Sequence, residues 1–64
     1  MEITLKAARA NRNLTQQKAA ELIGVTRDTL GNWERGISYP DVIKLSKIES
    51  VYKMKYDDLI FLPK

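Results

Sequence analysis

A chain of 64 residues with a formal net charge of +3 is long enough for one small core and too short to enclose a large substrate cleft. Apolar residues at 44% and charged residues at 30% are the proportions of a folded domain rather than a disordered tail. The absence of cysteine and histidine removes disulfides, thiolate zinc sites, nucleophilic thiols and imidazole bases, so neither a metal nor a cofactor is expected. No apolar run approaches the length needed to cross a bilayer, and the expectation is a soluble protein of the cytoplasm. The basic excess suits a polyanionic partner and equally suits plain solubility.

With no repeat, low-complexity stretch or linker, the chain reads as a single domain over residues 1–64. In "ITLKAARANR", Leu5, Ala8 and Arg12 fall in helical register with Ile3, Ala7 and Ala10 beside them. The pattern predicts a first helix ending near Arg12, with Asn13 taking the left-handed conformation that closes it. Thr15 is suited to cap a second helix from Gln16 to about Ile23, whose apolar members are Ala19, Ala20, Leu22 and Ile23 and which Gly24 stops. Thr26 offers a fresh cap for a third helix, with Arg27 and Asp28 in its first turn, and Gly36 ends it. Leu30 and Trp33 lie on one face of this helix. Trp33 is therefore assigned to the core rather than to base stacking.

Pro40 precedes a fourth helix in "DVIKLSKIESVY", where Val42, Leu45, Ile48 and Tyr52 form the apolar stripe among Ser46, Glu49 and Ser50. A short last helix is expected from Tyr56 to Phe61, bringing Leu59 and Ile60 onto the core before Pro63 forbids continuation. The fold class is thus all-α, a compact five-helix bundle.

The spacing around Gly24 carries the functional argument. Two short helices joined by a tight glycine-containing turn form a helix-turn-helix, in which the first braces the second against a DNA groove. Here Ala20 permits a close crossing, Gly24 takes the turn, and Val25 and Leu30 fill the space between. The restart at Thr26 exposes the amide end of the third helix and sets Arg27 at the tip that would enter the major groove.

At these residues the sequence resembles the Cro and phage-repressor family, also called the xenobiotic-response-element type. "LTQ", "AAELIGV" and "NWERG" at their mutual spacing carry the likeness, which extends from Leu5 and Arg9 through Pro40 to "MKYDDLI". The resemblance implies a lambda-repressor-like bundle of prokaryotic or phage type, binding double-stranded operator DNA as a homodimer to regulate transcription, close to Cro in size. It also implies that Gln16 and Thr26 meet phosphates, with Arg35 and Lys44 candidates for the same role at the other rim. It sets Arg27, Asp28, Thr29 and Asn32 on the face that approaches base edges. Arg27 is suited to guanine O6 and N7, Asn32 to adenine, and Asp28 to a cytosine amino group. An arginine at the place of Arg9 pairs, in the family, with an acid at the place of Glu34, clamping the first helix to the third.

Plainer readings accompany these assignments. Asp28 favours the helix dipole whatever the function, Arg27 and Asn32 are compatible with a merely solvated face, and Gln16 would suit the start of almost any helix. Gly31, inside the third helix, either allows close approach of DNA or weakens the helix. The rival to DNA binding is a protein-interaction module of antitoxin or anti-regulator type on the same fold. Catalysis is not expected, because Asp57 and Asp58, adjacent in sequence, do not converge on one substrate. No small-molecule effector and no membrane partner are expected, and the apolar residues between Val51 and Tyr56, or the "FLPK" tail, are the candidates for dimer contact.

Overall fold

A computed structural model describes residues 2–61 of the chain. In chain order the elements are β1 (Ile3–Thr4), α1 (Leu5–Asn11), α2 (Gln16–Ile23), α3 (Arg27–Glu34), α4 (Val42–Tyr52), a 3-10 turn (Tyr56–Asp58) and β2 (Leu59–Ile60). Each helix begins where a short polar side chain caps it. Thr4 accepts from the Ala7 amide at 3.1 Å, Thr15 from Lys18 at 3.0 Å, Thr26 from Thr29 at 3.1 Å and Asp41 from Lys44 at 2.8 Å. Each of these bonds satisfies an amide that the helix itself leaves without a partner.

The closures are as local as the starts. Asn13 adopts φ 58° after α1 and Gly24 φ 94° after α2, and the Gly24 and Val25 amides both donate to the Ala20 carbonyl. After α3, Gly36 takes φ 76° and the Ile37 amide reaches back to the Asn32 carbonyl at 2.9 Å. That bond closes the helix and fixes the direction in which the chain leaves it.

The core joins the four α-helices and β2. Leu5 and Ala8 of α1, Ala19, Ala20 and Ile23 of α2, Leu30 and Trp33 of α3, Ile48 and Tyr52 of α4 and Leu59 of β2 form one buried cluster. Ala19 and Ala20 are wholly enclosed, and beside Ile23 they put small side chains on the buried face of α2. Val25 packs against this cluster, as its place in the turn required.

The five-helix expectation is corrected at both ends of the chain: among the described residues there are four α-helices and a short parallel ladder, with Ile3 opposite Leu59 and Thr4 opposite Ile60. Ile3 belongs to that ladder rather than to the first helix. Tyr56 to Phe61 form no α-helix, only the 3-10 turn Tyr56–Asp58: the side chain at the cap position, Lys55, makes no capping hydrogen bond, and so short a segment does not recover the cost of nucleation. The extended N-terminus supplies hydrogen-bond partners instead. Strand geometry then sends alternate side chains to opposite sides. Leu59 enters the core while Ile60 stays 39% exposed, against the expectation that both would be buried. The Tyr56 amide donates to the Glu49 carboxylate at 2.6 Å, which gives that acid on α4 a structural task.

Two further expectations change. Val42 is 82% exposed because it opens α4 outside the packed region, leaving Ile48 and Tyr52 as the buried part of the stripe, with Leu45 half-buried. Leu22 faces outward from α2. Within Val51 to Tyr56, Val51 and Met54 pack against the core and Tyr52 is part of it, so Tyr56 is the exposed large apolar residue of that stretch. Phe61 also packs against the core, and the rest of the "FLPK" tail lies outside the described residues.

Candidate nucleic-acid interface

The third helix divides its residues between two tasks. Leu30 and Trp33 are buried at 0% and 5% exposure, which confirms the core assignment of Trp33 and locks the helix onto the bundle. Arg27 and Asp28 are exposed, and Thr29 and Asn32 are half-buried. All four share a short helix whose inner face is fixed, so their directions are set by packing rather than by loop conformation.

Hydrogen bonds within the helix limit two of these side chains. The Thr26 hydroxyl, besides capping the Thr29 amide, donates to the Thr29 hydroxyl at 2.9 Å, tying both polar groups to the helix start. Asn32 Oδ1 accepts from Arg35 Nη2 at 2.7 Å. One lone pair of that carboxamide oxygen is in use, and its two amide hydrogens remain for another acceptor. Arg27 and Asp28, at the tip, have no such internal partner among the bonds of this helix.

Behind the exposed face, one carboxylate gathers three helices. Arg9 Nε donates to Glu34 Oε2 at 2.7 Å, Arg9 Nη2 donates to Glu34 Oε1 at 3.3 Å, and Gln16 Nε2 donates to the same Oε1 at 3.1 Å. Arg9 Nη1 also donates to the Leu14 carbonyl at 2.9 Å, in the turn between α1 and α2. The two charged side chains are only 13% and 4% exposed. Hydrogen bonding to Glu34 makes the already strongly basic guanidinium more basic still. The paired arrangement expected for Arg9 and Glu34 is present, and Gln16 joins it from the first position of α2.

Sequence reasoning missed a neighbour of this pair. The Tyr52 hydroxyl is buried and has no hydrogen-bond partner among the described residues. Burial pushes its pKa up to about 12, the negative charge of Glu34 adds to the shift, and Arg9 opposes it. The helical spacing of Tyr52 pointed to the core, and nothing local showed what its hydroxyl would meet.

A groove of about 630 Å³ runs between α1, the start of α2 and the end of α3, lined by Lys6, Arg9, Gln16, Gly31, Glu34 and Arg35. Gln16 and Arg35, two of the phosphate candidates, therefore border one space. Thr26 stands at the opposite end of α3, and Lys44 lies in the first turn of α4, half-buried and outside this groove. Lys6 was not singled out in the sequence because its role depends on which helices face it. Among the described residues no cluster of acids is arranged to hold a metal ion, and no helix is long and apolar enough to cross a membrane.

Comparison with known proteins bears on the family of the chain. The sequence pattern of a family described as helix-turn-helix matches residues 5–59. An uncharacterized HTH-type transcriptional regulator of Bacillus subtilis, YgzD, is 34% identical over 62 residues, covering 97% of this chain and 94% of that protein. The HTH-type transcriptional activator BcrR of Enterococcus faecalis is 34% identical over 56 residues, covering 88% of this chain but 28% of the relative. The HTH-type transcriptional regulator ImmR of Bacillus subtilis is 36% identical over 56 residues, covering 88% of this chain and 44% of its own length. The chain thus spans nearly all of one relative and less than half of the other two. No solved structure is significantly similar to it.

Proposed function

We propose that this chain, which belongs to the helix-turn-helix family of Cro and C1 type, is a sequence-specific regulator of transcription that lays α3 in the major groove of operator DNA. The observation that carries the reading is the division of α3: an apolar face fixed in the core, and an opposite face of Arg27, Asp28, Thr29 and Asn32 that begins at a capped, outward helix start. In this reading Arg27 and Asp28 meet base edges first, Asn32 follows through its amide hydrogens, and Thr29 contributes less because Thr26 holds its hydroxyl. Gln16, Thr26, Arg35 and Lys44 supply phosphate contacts, which fix register without reading sequence.

A single α3 covers only a few base pairs, so the working unit is a homodimer on half-sites one helical turn apart, about 34 Å. Val42 and Ile43 on α4, 82% and 70% exposed, give apolar surface for a second copy, and the same surface is what a protein-interaction module would use. Relatives whose names include both an activator and regulators of unstated direction leave repression, as in Cro, as the reading drawn from the resemblance alone. Selection of bound sequences from a random duplex library tests the proposal. Enrichment of a paired half-site motif supports it, and recovery of random sequence at every salt concentration would favour the protein-interaction reading.

A further inference from the structure

We propose that Arg35 is a positioning residue that sets the base preference of Asn32. By holding the carboxamide oxygen it leaves Asn32 to offer hydrogen-bond donors alone, which favours guanine over the adenine that the residue type suggests. The inference rests on the DNA-binding reading above and deepens it with a specificity that a phosphate contact would not confer.

The bond is short and runs one way. Arg35 Nη2 donates to Asn32 Oδ1 at 2.7 Å, a charge-assisted contact of the stronger kind. A guanidinium carries donors and no acceptor, so only the oxygen of the carboxamide can face it. Turning the amide over would set donors against donors. Arg35 therefore decides which way Asn32 points. The guanidinium is itself placed by the helix it serves. Arg35 is the C-cap of α3, with its amide bonded to the Gly31 carbonyl, and its Nη1 lies 3.7 Å from where a Cβ on Gly31 would stand. The missing side chain at Gly31 leaves the guanidinium room to lie along the helix and reach Asn32.

Base-edge chemistry supplies the consequence. Bidentate reading of adenine requires an asparagine to accept from N6 with its oxygen while it donates to N7. Adenine would have to share that oxygen with a cation already bonded to it. The two amide hydrogens of Asn32 remain for the groove, and the neighbouring guanidinium adds positive charge and further donors. Guanine matches this pair because N7 and O6 both accept, whereas adenine and cytosine each bring an amino donor against it.

The test measures the affinity of wild type, Asn32→Ala, Arg35→Ala and Arg35→Lys for a selected operator and each of its single base-pair variants at one salt concentration. Asn32→Ala should become indifferent at one base pair, which marks the pair that Asn32 reads. There, wild type should prefer guanine to adenine by about tenfold. Arg35→Ala frees the oxygen and should lose that preference, accepting adenine at least as well. Arg35→Lys, which still brings donors and no acceptor, should keep more of the guanine preference than Arg35→Ala. Because Arg35 is exposed, these variants should fold as wild type does. Three results would each overturn the assignment while leaving the DNA-binding reading intact: an adenine preference in wild type, no base pair at which Asn32→Ala is indifferent, or an Arg35→Ala protein that weakens on every duplex alike and still prefers guanine. Absence of sequence selection by the wild type would instead overturn that reading, and the role of Arg35 with it.

Discussion

Replacing Arg9 by alanine should cost this domain a large part of its stability. The substitution deletes two hydrogen bonds to Glu34 and one to the Leu14 carbonyl. It leaves the Glu34 carboxylate, 4% exposed in the intact pair, with only the Gln16 amide still donating to it. Breaking a buried pair in this way costs about 3–5 kcal/mol, most of it the penalty of stranding a charge. A domain of this length has a total stability of about 3–10 kcal/mol. Thermal unfolding followed by circular dichroism should therefore show Tm falling by more than about 10 °C, given roughly 4–8 °C per kcal/mol for small domains. Arg9→Met combined with Glu34→Leu should recover most of that loss, because it removes both charges and keeps apolar volume. An Arg9→Ala protein melting within about 2 °C of wild type would refute the reasoning, since a stranded buried carboxylate cannot be that cheap.

Tyr52→Phe should be neutral or stabilising near pH 7, because it removes a buried hydroxyl that has no partner among the described residues; denaturant titration showing a loss above about 1 kcal/mol would mean the hydroxyl is satisfied. The folded protein keeps the Tyr52 phenol neutral up to about pH 12, while an unfolded tyrosine ionises near pH 10. Its contribution is present in full below pH 10 and declines as pH rises toward about 12, so wild type should lose stability relative to Tyr52→Phe over that window, by about 2–3 kcal/mol at its end. Gly31→Ala should raise stability by about 0.8–1.0 kcal/mol through helix propensity, since the added methyl meets only ordinary contacts of 3.5 Å and more. A lower Tm for that variant would show that Gln16 and Arg35 cannot yield the space.

The parts of the fold that the sequence made legible are those set by neighbours in the chain. Thr15, Thr26 and Gly24 act within four residues of themselves, so caps and stops could be placed from residue type alone. The parallel ladder could not, because Ile3 and Leu59 lie at opposite ends of the sequence and neither carries a mark of the other. "KYDDLI" then looked helical only because its true partner was out of view. The exposed face of α3 followed from periodicity, since Leu30 and Trp33 define the buried side and leave the remainder outward. Arg9 and Glu34 were paired through family resemblance, and their spacing alone would not have joined them. The groove at Lys6 and the orphaned Tyr52 hydroxyl are products of packing between helices, which no local pattern encodes.

The claim that α3 reads sequence is tested most directly by the affinity of wild type and Arg27→Ala for a selected operator and for every single base-pair substitution within it, at one fixed salt concentration. Arg27→Ala should lose about 1–3 kcal/mol on the operator and become indifferent to the identity of one base pair while keeping its preferences elsewhere. Equal weakening on every duplex, with all base preferences retained, would contradict the claim and reduce Arg27 to a phosphate contact.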